Sequence, residues 1–249
     1  MNTDEIFTLK ADLYRAFRPQ YAKQLVKLLI EKGIIDTNTI VADIGCGTGI
    51  LAKQIAPYVK KIYGVEPNSN MLNAAVNVLK DNCNFIPIQS YAENTGLSSN
   101  SLDLITVGQA FHWFQPALFK KESLRILKRS GYVLLVWNVK EKCEQELKRK
   151  KIVEKYRTVL DSYDCDWGKR IEGISSFFNG EFETYSFDNS IRNTYEEFIG
   201  RTLSASHAVD YGSSNYREYV NDWKRYFMEY AKNGIITIPN STVVFLGKI

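Results

Sequence analysis

The sequence predicts an α/β fold built on a doubly wound, mostly parallel sheet, on three observations. Strand-like apolar runs alternate with helix-periodic segments through the first half of the chain. A glycine-rich turn, Asp43-Ile44-Gly45-Cys46-Gly47-Thr48-Gly49, follows the first of those runs directly. An acid, Glu66, closes the second run, where folds of this kind hold ribose hydroxyls.

After a polar start, Tyr21, Leu25, Leu28 and Leu29 recur at helical spacing, and Gly33 closes that helix. Thr39 to Ile44 reads as a buried strand leading into the glycine turn. Leu51, Ile55 and Tyr58 share one face of the next helix, and Lys61 to Val65 forms a second strand. Ser69 suits the cap of a helix whose inner face is Leu72, Ala75, Val76 and Leu79. Asn84 to Gln89 and Leu102 to Gly108 are the third and fourth strands. Pro116 suits the first turn of the following helix and Gly131 its end, before a fifth strand over Tyr132 to Trp137.

The second half is less regular. Charged residues dominate Lys140 to Lys155, which reads as one long helix. Glu183 to Ile191 reads as a sixth strand and Thr242 to Gly247 as a seventh, with aromatic-rich, helical sequence over Tyr195 to Lys232 between them. The expected organisation is one Rossmann-like domain over 1–249, with an N-terminal helical lid at 1–36 and a helical cap inserted at 195–238.

Composition narrows the function classes. The chain has 249 residues, 45% of them hydrophobic, enough for a sizeable core. A net charge of +4 is too mild for a dedicated nucleic-acid binder, and no nucleic-acid partner is expected. The densest basic run, Lys148-Arg149-Lys150-Lys151, sits in a stretch of mixed sign and reads as a solvated helix face. Cys46, Cys83, Cys143 and Cys165 are scattered, without metal-ligand spacing, so no metal is expected. The N-terminus lacks a secretory core, and the longest apolar run, Tyr132 to Trp137, cannot span a bilayer. A cytoplasmic protein without a membrane partner is the expectation; its oligomeric state is not legible.

The glycine turn discriminates between cofactors. Gly45, Gly47 and Gly49 permit positive φ and a close ligand approach. A dinucleotide-binding turn instead wants glycines at its first, third and sixth positions, and the sixth position here is Ile50. A nicotinamide-dependent oxidoreductase is therefore disfavoured.

The same residues resemble a family. Asp43 to Gly49 is similar to the first motif of the class I methyltransferases, and Gly64-Val65-Glu66-Pro67 to their second. Ala92-Glu93-Asn94-Thr95-Gly96-Leu97 and Gln109-Ala110-Phe111-His112-Trp113-Phe114 resemble the small-molecule type 11 subgroup, especially relatives of trans-aconitate methyltransferase. Tyr14 to Tyr21, with Arg18-Pro19 inside it, and the ending Thr242 to Gly247 fit the same subgroup. The resemblance implies S-adenosyl-L-methionine as cofactor, methyl transfer to a small-molecule acceptor, and a sheet of about seven strands with the last antiparallel. It implies that Asp43 helps anchor the cofactor's amino group and that the Gly45–Gly49 backbone borders its methionine portion. Glu66 would hold the ribose, Ala92 and Glu93 would meet adenine, and Gln109 would face the methionine end. Tyr14 and Arg18 would close over the site, where a guanidinium could pair with a carboxylate.

On the acceptor side, Phe111 to Phe114 follows a strand ending at the carboxyl edge, where such sheets bind ligands. Aromatic faces suit a sulfonium cation. Phe114 is expected in the core, with His112 and Trp113 at the site. His112 is either a structural histidine or the base for a hydroxyl or amine acceptor, and a carboxylate acceptor needs none. Trp137 is expected to border the acceptor pocket unless it simply packs. His207 is either an acceptor contact or a surface residue of the cap. A non-catalytic cofactor-binding protein and an RNA methyltransferase are the remaining alternatives.

Overall fold

A computed structural model of the chain describes residues 19–156, 167–205 and 208–249. These form two compact units, one of 20–138, 167–187 and 242–249, the other of residue 19 with 139–156, 188–205 and 208–241. The elements in chain order are α1 (Gln24–Glu31), β1 (Ile40–Ile44), α2 (Ile50–Ile55), β2 (Lys61–Val65), α3 (Ser69–Val78), β3 (Phe85–Ile88) and β4 (Leu102–Gly108). Then come α4 (Pro116–Ile126), β5 (Leu127–Lys140), α5 (Glu144–Tyr156), α6 (Trp167–Phe177), β6 (Phe182–Asp188) and β7 (Ile191–Asn193). The chain ends with α7 (Tyr195–Leu203), α8 (Tyr216–Tyr230), β8 (Ile236–Ile238) and β9 (Asn240–Gly247).

Seven strands form one sheet in the order β3-β2-β1-β4-β5-β9-β6. It is mostly parallel with the last strand antiparallel, as expected. β1 pairs in parallel with β2 on one side and β4 on the other, for instance Asp43 with Gly64 and with Thr106. The chain therefore reverses its winding direction at β1 and β4, and a crevice opens beyond their carboxyl ends. β1, β4 and the middle of β5 are mostly apolar because helices cover both faces; Val41, Leu104, Ile105 and Leu134 are fully buried. Of the segment expected as an N-terminal lid, residues 19–36 are described and include α1, whose Leu25, Val26 and Leu29 are buried in this core.

The other unit is held by aromatic side chains. Phe198 of α7 packs on Trp223, Tyr226 and Phe227 of α8, and Tyr156 of α5 meets Tyr219 edge-on at 5.1 Å. Thr194 and Glu197 form a reciprocal capping box at the start of α7. Lys148 engages Glu229 and Arg149 engages Glu146, so those two members of the basic run sit in ion pairs. Among the described residues, no helix is long and apolar enough to cross a membrane.

Four local expectations change. The cap of α3 is Asn68, whose side chain accepts from the Asn70 and Met71 amides; Ser69 is the first helical residue. Its buried face is Met71, Leu72, Ala74 and Ala75, and Val76 points outward. The helix starting at Pro116 ends at Ile126 rather than near Gly131. Leu127 already pairs with Leu102, while Tyr132 pairs with Leu104, so four residues of β5 bulge opposite Asp103. Gly131 serves that bulge, since a Cβ there would lie 2.6 Å from Leu127 Cγ. Finally, the segment expected as one sixth strand splits into β6 and β7, and β7 pairs antiparallel with β8 in a separate small sheet.

Candidate functional site

The site is built from three strand ends and the turns after them, all within one unit. β1 delivers Asp43 and runs into the glycine turn. Gly45, Gly47 and Gly49 have φ of 67°, 54° and 80°, the left-handed region where a side chain is strained. Two of them also lack room: a Cβ on Gly45 would lie 2.6 Å from Ala110 Cβ, and one on Gly49 2.7 Å from Leu79 Cδ1. At Gly47 the nearest atom is Met71 Cε at 3.6 Å, so space there is open. The Gly45 and Cys46 amides donate to the Val65 carbonyl at 2.8 and 3.1 Å, which stitches the turn to the end of β2.

Glu66, the next residue, completes that joint. Its carboxylate accepts from the Gly47 amide (Oε2, 3.0 Å) and from the Asn68 amide (Oε1, 3.0 Å). Two backbone donors thus fix the acid between the glycine turn and the start of α3.

Asp43 is buried, and Thr106 of β4 donates to its Oδ1 at 2.9 Å. Among the described residues its Oδ2 has no hydrogen-bond partner, nor does the buried Thr48 hydroxyl of the glycine turn. Burial pushes the Asp43 carboxyl up to about 7, against the opposing Thr106 and Ala52 hydrogen bonds, and the Glu66 charge adds to the rise. A buried acid with an open acceptor atom is suited to an incoming ammonium, which restores its charge and fills its vacant bond. The residues present therefore fit an amino-acid-bearing nucleoside, with one carboxylate at the start of the glycine turn and one bonded to its middle.

The opposite wall follows β4. Gln109 has φ of 55°, uncommon for a side-chain-bearing residue, and its amide donates to Val136 of β5 at 2.9 Å. Phe111–Trp113 then forms a 3-10 turn. Because Gly45 sits against Ala110 and Phe114, this turn lies directly on the glycine turn. His112 and Trp113 are exposed, with ring centroids 5.0 Å apart. Phe111, not Phe114, fills the core: it is buried against Phe177 at 5.2 Å and Trp137 at 6.5 Å, while Phe114 is only half-buried. Trp137 is 2% exposed, in edge contact with Phe111 and Phe245.

Beyond β3, Ala92 is buried and Glu93 accepts from the Gln115 amide at 2.8 Å, at the N-terminus of α4. Tyr14, Arg18 and His207 lie outside the described residues. Sequence reasoning missed the placement of Tyr21, whose hydroxyl faces Gly108, one residue before Gln109. It also missed Glu122 of α4, which holds the segment after β3. Neither leaves a local sequence signal beyond helical periodicity.

Residues 42–135 match a family described as the methyltransferase domain. A Dictyostelium discoideum protein bearing a methyltransferase name is 31% identical over 216 residues, covering 85% of this chain and 76% of its own. A Schizosaccharomyces pombe protein, named as a methyltransferase of uncharacterised role, is 31% identical over 153 residues, 57% of this chain and 59% of its own. In fold, the chain is similar to a solved Anaeromyxobacter dehalogenans protein titled as a type II methyltransferase, with a TM-score of 0.68 at 18% identity, covering 93% of this chain and 98% of that one. The kinship and the paired acids around the glycine turn agree: the chain belongs to the class I S-adenosylmethionine-dependent methyltransferases, and S-adenosylmethionine is its cofactor.

Proposed function

We propose that the protein transfers the methyl group of S-adenosylmethionine to a small-molecule acceptor, with carboxylic acids the first class to test. The observation that supports this reading is the packing of Ala110 and Phe114, which flank the His112–Trp113 turn, against Gly45 of the glycine turn. The likeness of the Gln109 to Phe114 segment to trans-aconitate methyltransferase relatives supports a small acid as acceptor.

The cofactor supplies an electrophilic methyl group on a positively charged sulfur. Around it, Asp43 accepts the amino group, Glu66 the ribose hydroxyls, and the segment at Ala92 and Glu93 borders adenine. The strained Gln109 backbone turns the chain so that the next residues face the crevice. Holding acceptor and methyl donor in line supplies most of the rate, up to about 7–11 kcal/mol in well-oriented systems. Trp113 offers a ring face to the sulfonium charge. With a hydroxyl or amine acceptor, the His112 imidazole takes the proton released as the new bond forms; with a carboxylate acceptor no proton leaves and His112 orients. Tyr14, Arg18 and His207 are proposed to contribute from the segments outside the described residues, with Arg18 as partner of an acidic group. Trp137 shapes the acceptor wall from beneath, through Phe111.

A cytoplasmic setting is part of the proposal and is supported by Cys46, Cys83 and Cys143, which are all unbridged. The test is a screen of small carboxylic acids, phenols and amines with methyl-labelled cofactor. Label is expected on an acid. Tight cofactor binding with transfer to no acceptor class would overturn the enzymatic reading in favour of a cofactor-binding role.

A further inference from the structure

The segment after β3 has little regular structure of its own, yet its polar groups converge on one residue of α4. The Thr95 amide and hydroxyl donate to Glu122 Oε1 at 2.9 and 2.6 Å, and the Leu97 amide donates to the Thr95 hydroxyl at 3.2 Å. Thr95 and Glu122 are both buried. The Arg125 guanidinium closes on the same carboxylate, through Nε to Oε2 at 2.8 Å and Nη2 to Oε1 at 2.7 Å. Arg125 reaches onward to Ser99 Oγ at 3.2 Å, and its carbonyl accepts from the Asn100 amide. Burial pulls the Glu122 carboxyl up, but the Arg125 and Thr95 hydrogen bonds outweigh it and hold the group at about 2, so it is ionised throughout the working range.

Upstream of Thr95, Asn94 and Tyr91 form an isolated bridge, and Ser90 Oγ donates to the Asn94 carbonyl at 2.5 Å. Ala92 and Glu93 sit inside that bridge. The Glu93 carboxylate in turn takes the Gln115 amide, so the segment meets α4 twice, at its N-terminus and in its second turn. A rigid helix thus fixes this loop through a buried, charge-assisted pair.

We propose that Glu122, which lies outside the cofactor cradle, is a positioning residue that sets the selectivity of this methyltransferase for adenine. This rests on the reading that the Ala92–Glu93 segment borders the base. A loop held by a buried, charge-assisted pair presents its backbone groups to the base in one arrangement; released, it samples several and distinguishes bases poorly.

The test compares binding of S-adenosylhomocysteine and its deaminated, hypoxanthine-bearing counterpart by calorimetry, in the full chain and in Glu122→Gln. Glutamine keeps the shape but loses the charge that Arg125 and Thr95 hold. The expected result is affinity for the adenine ligand lowered by about tenfold, the scale of one charged hydrogen bond, with affinity for the hypoxanthine ligand nearly unchanged. Global destabilisation would not change that ratio below the unfolding temperature. Should Glu122→Gln not fold, Thr95→Val removes the hydroxyl that joins Glu122 to the Leu97 amide and is expected to narrow the same ratio. Wild-type-like discrimination in a folded Glu122→Gln, or in Thr95→Val, overturns the positioning role and leaves the adenine placement standing. Equal binding of both ligands by the unmodified protein overturns the adenine placement itself, and the proposal with it.

Discussion

Glu66 accepts the Gly47 amide at 3.0 Å, and this one bond makes the acid at the end of β2 and the glycine turn after β1 a single structural part. Both are ready before any ligand arrives. Losing the acid therefore removes a turn-fixing contact as well as the proposed acceptor for ribose.

Glu66→Ala is expected to weaken S-adenosylhomocysteine binding by about 10- to 150-fold, the range of one charged hydrogen bond. Glu66→Gln should lose less, because its amide oxygen can still accept from the Gly47 amide. Isothermal titration of both variants checks the order. Equal loss would mean that charge alone matters and that turn fixing does not.

Gly49→Ala and Gly47→Ala should separate space from backbone. Both positions have positive φ, which costs a side-chain-bearing residue about 1–2 kcal/mol. At Gly49 the new Cβ also meets Leu79 Cδ1 at 2.7 Å and Ala75 Cβ at 3.1 Å, so overpacking adds about 1–3 kcal/mol. Denaturant unfolding should show Gly49→Ala clearly less stable than Gly47→Ala. A reversed order would show that the α3 side of the turn yields easily.

Asp43 sets a pH dependence. Its folded carboxyl, held at about 7 by burial, lies above the ordinary value of 3.8, so the folded chain binds the extra proton between those limits. Stability of the cofactor-free protein therefore falls as pH rises from 4 towards 7 and then levels, with a cost of order 4 kcal/mol for full ionisation. Asp43→Asn should flatten that slope in thermal melts while weakening cofactor binding. An unchanged slope would assign it to another group.

His112 is exposed, and His112→Ala should change stability by no more than about 0.5 kcal/mol. Cofactor affinity should be unchanged. Turnover should drop about 10²- to 10⁴-fold with a hydroxyl or amine acceptor and far less with a carboxylate. Steady-state rates on one acceptor of each kind decide it; identical rates throughout would remove His112 from the chemistry.

The central strands were legible because burial on both faces leaves mostly apolar residues in them. β2 and β4 run over the residues expected, and punctuation at Glu66-Pro67 and Gly108 marks their ends. Gly131 misled because a glycine suits a bulge as well as a helix end, and only the pairing of Leu127 with Leu102 decides between them. Asn68 and Ser69 are both good caps, and one residue of register separates them. Of the candidate site, the left-handed glycine turn and the place of Glu66 at the end of β2 were legible because their geometry is local. The bonds from Glu93 to Gln115 and from Thr95 to Glu122 join residues 22 and 27 positions apart, and nothing nearby announces them. The Glu122–Arg125 pair at helical spacing and the exposed amide ahead of Pro116 were the faint signals available.

The position of β1 has a consequence for how the site can be lost. It lies between β2 and β4, so its pairing cannot open by fraying from an edge. The Gly45 and Cys46 amides, bonded to Val65, should exchange with deuterium only when the whole sheet unfolds. Cofactor capacity and fold integrity then share one lifetime: a protease or a heat pulse that removes the first must already have removed the second.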